Sequence, residues 1–148
     1  MASRGFEFAY MLDGSNATPV IRDFTCGETA YSEGDVVLIQ SDGYFDGITA
    51  NIGEVTGIVM ETVTGATAGT TKAKLAIVTR NQVWKCSTDA TTCAAKTGYT
   101  KTVDVADANT IAAADITNGF MIKVDADTDD DGNVLLYVCF SDTTFGNV

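Results

Sequence analysis

The chain has 148 residues, a length that fits one domain and buries enough surface to form a core without covalent staples. Twenty acidic side chains against nine basic ones, with no histidine, give a formal net charge of −11; this excludes histidine-based catalysis and His-ligated metals and argues against a phosphate-backbone partner. The hydrophobic content of 45% is too high for a disordered acidic tail, and no apolar run approaches the ~20 residues of a bilayer-spanning helix.

The residue types favour strands. The chain holds 22 threonines, 14 valines and 9 isoleucines against 5 leucines, and β-branched side chains are stiff and pack well on a pleated surface. The reading is an all-β protein: a small antiparallel β-sandwich or β-barrel, with residues 1–16 as an extended N-terminal arm and residues 17–148 as a single β domain. The opening MASRGFEFAYMLDG places Glu7 and Asp13 where a signal peptide needs an unbroken apolar region. Synthesis and retention in a cytoplasm are therefore expected.

In the arm, Phe6, Phe8 and Tyr10 alternate with Glu7 and Ala9, the period of a strand with one apolar face. An aromatic strand at a terminus docks on its own sheet or on a neighbour's, and the sequence leaves both open. A short strand follows at Pro19–Arg22. Gly34–Ser41 is the clearest strand, and its four consecutive apolar residues predict burial on both faces. Asp42-Gly43 predicts a two-residue hairpin, with Tyr44–Ile48 returning antiparallel. Val55–Val63 reads as a further strand, in which Gly57 marks a bulge or a close backbone approach. Residues 64–71 are a small-residue loop. Ala73–Val78 alternates, and Arg80-Asn81 turns it into Gln82–Lys85. The stretch from Cys86 to Tyr99 reads as a polar loop. Residues 104–117 predict a short helix, with Asp107 as its cap and three alanines behind it. Phe120–Val124 and Val134–Phe140 read as strong strands joined by an acidic turn. The total is seven or eight strands at roughly 10–15-residue spacing.

Candidate chemistry is sparse. Asp127, Asp129 and Asp131 precede Gly132 in a D-x-D-x-D-G run, the spacing of a calcium loop. The twelfth position, where such a loop needs a bidentate glutamate, is Val138. A solvated hairpin tip is the preferred reading, and no metal or cofactor is expected. Cys86 and Cys93 bracket a six-residue loop, STDATT. A disulfide between them would contribute about 2–3 kcal/mol, and two reduced thiols are the equal alternative. Cys139 reads as a small core residue, and Cys26 has no evident partner. The carboxylate pairs Asp42/Asp46 and Glu54/Glu61 are expected by chance among so many acids. Trp84 and Tyr44 could stack a sugar, but a single tryptophan in a β domain is more often core. No catalytic set emerges, and the chain reads as a non-enzyme.

The layout Gly34-Asp35-Val36-Val37, then Gly57-Ile58-Val59, then Ala76–Trp84, then Val134–Val138 resembles the head-decoration, or cement, proteins of tailed bacteriophages. The resemblance covers roughly residues 17–145 and excludes the cysteines and the acidic turn. It implies a structural virion protein, made in the host cytoplasm and located on the capsid exterior. Such a protein grips the expanded shell, bridges neighbouring major capsid subunits, and assembles as a homo-oligomer, most often a trimer. Neither nucleic acid nor membrane is an implied partner. Phe6, Phe8 and Tyr10 are then the candidate capsid or subunit contacts, and deleting residues 1–14 is expected to leave a folded domain that no longer binds shells. The alternatives are a surface-displayed β-sandwich binding module, dependent on carbohydrate or calcium, and another virion part such as a tail protein.

Overall fold

The computed structural model describes residues 5–48, 54–88, 102–108, 110–112, 121–128 and 134–145. Among these there is no helix. Eleven strands follow in chain order: β1 (Glu7–Met11), β2 (Ile21–Thr25), β3 (Val36–Ile39), β4 (Phe45–Gly47), β5 (Gly57–Val59), β6 (Lys72–Ile77), β7 (Gln82–Ser87), β8 (Thr102–Asp107), β9 (Thr110–Ala112), β10 (Met121–Thr128) and β11 (Val134–Phe140). They form a six-stranded sheet, β1-β7-β11-β10-β8-β9, and a five-stranded sheet, β2-β6-β5-β3-β4. All named pairings are antiparallel. The two sheets pack face to face as a sandwich and do not close into a barrel.

The five-stranded sheet is apolar on both sides, as the run Val36–Ile39 predicts. Val36 and Leu38 face the main core together with Ile58, Ala76 and Trp84. Val37 and Ile39 face the other way, into a second cluster with Tyr31, Phe45, Val59 and Leu75. Alternation along each strand sends neighbours to opposite faces, so a continuous apolar run requires two cores. Hydrogen bonds from Tyr31 N to Val63 O and Ala66 N to Thr29 O tie together the loops beside this second cluster.

Two glycines set the approach of elements. Gly34 has φ +89°, and a β-carbon there would stand 2.7 Å from the Gly5 α-carbon. This close crossing delivers Phe6, whose N–H donates to Gly34 O at 2.8 Å, into the main core. A β-carbon on Gly57 would meet the Ala76 carbonyl at 2.7 Å. The predicted close approach is therefore real, although β5 itself is only Gly57–Val59.

Other expectations change. Described residues 5–16 are no free arm: β1 pairs with β7, and Glu7 faces Lys85 in register. Own-sheet docking prevails because the rings of Phe6 and Phe8 find Phe140 and Trp84, each with centroids 5.6 Å apart. Of the helix expected over residues 104–117, residues 104–107 and 110–112 lie instead in β8 and β9, where pairing of Val105 with Ile111 outweighs local propensity, and residues 113–117 lie outside the described residues. The Asp42-Gly43 hairpin forms with a longer loop. Gln40 N bonds Tyr44 O at 2.8 Å, Gly43 N bonds Gln40 O at 2.9 Å, and Gly43 sits at φ +87°; a turn followed by a left-handed glycine closes the loop over residues 41–43. Finally, β6 and β7 do not pair with each other. Both sides of β6 are taken by β2 and β5, and both sides of β7 by β1 and β11, so residues 78–81 carry the chain from one sheet to the other.

Candidate functional site

That sheet-to-sheet crossover forms one end of the sandwich, and a buried glutamine holds it. Gln82 Oε1 accepts from Thr79 N and from Trp84 Nε1, both at 3.1 Å, while Nε2 donates to Ile77 O at 3.0 Å. At 4% exposure, its amide satisfies polar groups from both sides of the crossover. Two further segments are tied to the same end: Leu12 N donates to Asn81 O at 2.7 Å, and Ile77 N donates to Val20 O at 2.8 Å.

Large apolar side chains face water around it. Tyr10 is 44% exposed, Leu12 54%, Val20 51% and Ile21 45%. Their backbones flank the crossover: Tyr10 is in register with Val83 on β7, and Ile21 with Ala76 on β6. Arg80, at the tip of the turn, is exposed. The Arg22 guanidinium donates to Ile21 O at 2.9 Å.

The sequence-predicted contact residues divide between core and surface. Phe6, 3% exposed, belongs to the main core, and Phe8 packs against it. Tyr10 alone of the three is exposed, with its ring 6.5 Å from that of Tyr137. The bulge between Phe8 and Tyr10 breaks the alternation that would have sent Tyr10 inward. Residues 5–14 thus contain a core ring and an edge strand, so deleting residues 1–14 is expected to cost stability as well as any contact. Leu12, Val20 and Gln82 were missed by sequence reasoning. Leu12 offered a weak signal, as an apolar residue outside the aromatic alternation and just before Asp13-Gly14.

A second notable place lies under the loop at residues 26–31. The Tyr31 hydroxyl donates to Phe45 O at 2.5 Å and accepts from Gly27 N at 3.1 Å and Glu28 N at 2.9 Å. Burial pushes its pKa up to about 12. Beside it, Asp46 Oδ1 is buried without a hydrogen-bond partner and lies where a β-carbon on Gly27 would collide with it. Burial raises the Asp46 carboxyl, and the charge of Asp42 adds to the rise. Burial likewise raises Glu28, followed by repulsion from Asp46, although Glu28 Oε1 accepts from Gly47 N at 3.3 Å.

The remaining candidates fall into structural roles or outside the described residues. Asp42 Oδ1 accepts from Tyr44 N at 2.9 Å in the hairpin loop. Glu54 Oε2 accepts from Thr144 Oγ1 at 3.1 Å, part of the tie between the C-terminal segment and the five-stranded sheet, whereas Glu61 is exposed. Trp84 is 1% exposed in the main core. Cys26 and Cys139 are buried, and burial raises both thiols. Cys86 is buried on β7 opposite Leu136, while Cys93 lies outside the described residues and so does the predicted bridge. Asp127 is the last residue but one of β10, its Oδ1 accepting from Thr128 N at 2.8 Å; Asp129, Asp131 and Gly132 lie outside the described residues. Among the described residues, no three His, Cys, Asp or Glu side chains converge as a metal site.

No protein-family model and no curated protein matches the chain. The functional reading therefore rests on the residues and their geometry. The crossover end can bury apolar surface against a partner, which makes it the candidate site.

Proposed function

We propose that the chain is a structural virion protein that binds the outer surface of an expanded phage capsid and cements neighbouring major capsid subunits, acting as a homotrimer. The observation that carries this reading is the set of exposed apolar side chains Tyr10, Leu12, Val20 and Ile21, on segments that flank the crossover, in a chain whose net charge is −11. An acidic exterior keeps an abundant protein soluble, and a local apolar patch supplies the contact.

The motif layout behind the resemblance supports the same reading. Gly34-Asp35-Val36-Val37 leads into β3, and Asp35 Oδ2 accepts from Ser32 N at 2.9 Å. Gly57-Ile58-Val59 is β5, between β3 and β6, and Val134–Val138 lies in β11, between β7 and β10. These are the central positions that make a stiff unit, as a mechanical fastener requires. Specific association needs only about 800 Å² per partner. A trimer contacting several subunits gains avidity from contacts that are individually weak.

The test is cosedimentation of the purified full chain with expanded and unexpanded empty capsids. Saturable binding to the expanded shells alone is expected. Absence of binding to expanded shells contradicts the proposal.

A further inference from the structure

A groove of about 500 Å³ opens beside the crossover, lined by Leu12, Arg80, Ile122, Val124 and Cys139. It lies on the face of the six-stranded sheet turned away from the main core. Ile122 and Cys139 are register partners, and the neighbours of Cys139 on β11, Val138 and Phe140, belong to the core, so alternation turns Cys139 outward. The volume falls within the ~300–1,000 Å³ of sites that take a small organic group or a side chain. Leu12, Ile122 and Val124 make the groove largely apolar, Phe140 and Ser141 also reach it, and among the described lining residues the charged group is the Arg80 guanidinium. Among the described residues Arg80 makes no ion pair.

We propose that this groove seats one extended segment of the shell protein, with an aliphatic or aromatic side chain on the apolar floor and an adjacent carboxylate on Arg80. The inference rests on the docking role proposed above and names the chemistry that the partner presents. Charge complementarity selects the occupant. An acidic segment is repelled by most of a −11 chain, and here it meets a cation beside an apolar floor. A planar guanidinium pairs bidentately with a carboxylate, which adds direction to the contact. The exposed Leu12 at the rim extends the apolar contact beyond the groove.

The experiment compares the full chain with Leu12→Glu, Arg80→Glu and, as a control elsewhere on the surface, Met60→Glu. Three readouts are taken: cosedimentation with expanded empty shells, fluorescence anisotropy with two labelled nonapeptides, and sedimentation velocity. One peptide has a central Leu-Phe flanked by glutamates, and the other has the same centre flanked by lysines. Leu12→Glu and Arg80→Glu are expected to weaken shell binding by about tenfold or more with unchanged melting temperature, while Met60→Glu binds as the parent does. The glutamate peptide is expected to bind the parent and to lose affinity on Arg80→Glu. Shell binding unaffected by both groove variants overturns the groove and leaves the capsid role standing. If the parent ignores shells, the capsid role fails and the peptides decide the groove: binding of the glutamate peptide that is lost in Arg80→Glu supports it, and binding of neither peptide, or of the lysine peptide alone, overturns it. Conversion of an oligomer to a monomer by Leu12→Glu also overturns it, because the groove then belongs to a second copy.

Discussion

Phe6 keeps 3% of its surface exposed, whereas Leu12, six residues along the same segment, keeps 54%. Both belong to the stretch that the sequence marks as an aromatic and apolar arm. The first sits where Gly5 crosses Gly34 closely enough to admit its ring to the core. The second lies beyond the end of β1, where Asn81 holds its backbone and no described element covers its side chain. Apolar character alone therefore does not identify a contact residue: half of this segment serves stability and the other half is available to a partner.

The sharpest way to break the comparison is at Phe6. Phe6→Ala is expected to cost about 3–5 kcal/mol, measured by chemical denaturation, and deletion of residues 1–14 is expected to abolish the cooperative melt. A fully stable truncated chain would return β1 to the status of an arm. Next comes Gln82, which joins the two regions. Gln82→Ala leaves the buried Trp84 indole N–H and the Ile77 carbonyl without the partners it supplied, a loss of about 2–3 kcal/mol. Equilibrium unfolding followed by tryptophan fluorescence reads it, and a loss below about 0.5 kcal/mol would show the crossover to be held by other contacts.

A smaller effect is expected from Asp46. Folding raises the Asp46 and Glu28 carboxyls above their ordinary values of 3.8 and 4.5. The folded chain thus binds these protons more tightly than the unfolded chain does. The associated stability is fully present below those ordinary values and is lost as pH rises through the folded ones. Asp46→Asn removes one of the two titrations, so melting temperature should fall less steeply with rising pH than in the parent. An identical pH profile would contradict the burial assigned to Asp46. The smallest effect belongs to Leu12: Leu12→Ser should change stability by no more than about 0.5 kcal/mol, in contrast to Phe6, and a large loss in the denaturation midpoint would show that its side chain is needed by the fold.

Much of the fold was legible because the responsible signals are local. Val36–Ile39 announced burial on both faces, and two clusters receive its side chains. Val134–Phe140 and the strand before it paired as their apolar runs suggested. The crossover was not legible. Ala73–Trp84 reads as two strands and a turn, and such a pattern is the same whether the strands pair with each other or with distant partners. Competition from β2, β5, β1 and β11 decides the matter, and all of these lie far away in sequence. The helix expectation over residues 104–117 failed in its described part for a related reason: Asp107 and the alanines speak for themselves locally, while Val105 and Ile111 are paired across neighbouring strands.

The candidate site was legible only at Tyr10. Leu12 and Val20 are single apolar residues among polar ones, and their significance comes from being held at the same turn by Asn81 and Ile77. The proximity of Glu28 to Asp46 was invisible for the same reason. The sequence paired Asp46 with Asp42 on spacing, and the fold sets it beside Glu28 as well, eighteen positions away.

The most direct measurement is amide hydrogen exchange of the full chain, free and bound to expanded empty capsids. The account predicts new protection in the peptides covering Leu12, Arg80 and Cys139, with little change around Tyr31 and Phe45. Protection confined to the Tyr31–Phe45 side, with the crossover exchanging as in the free chain, would contradict it.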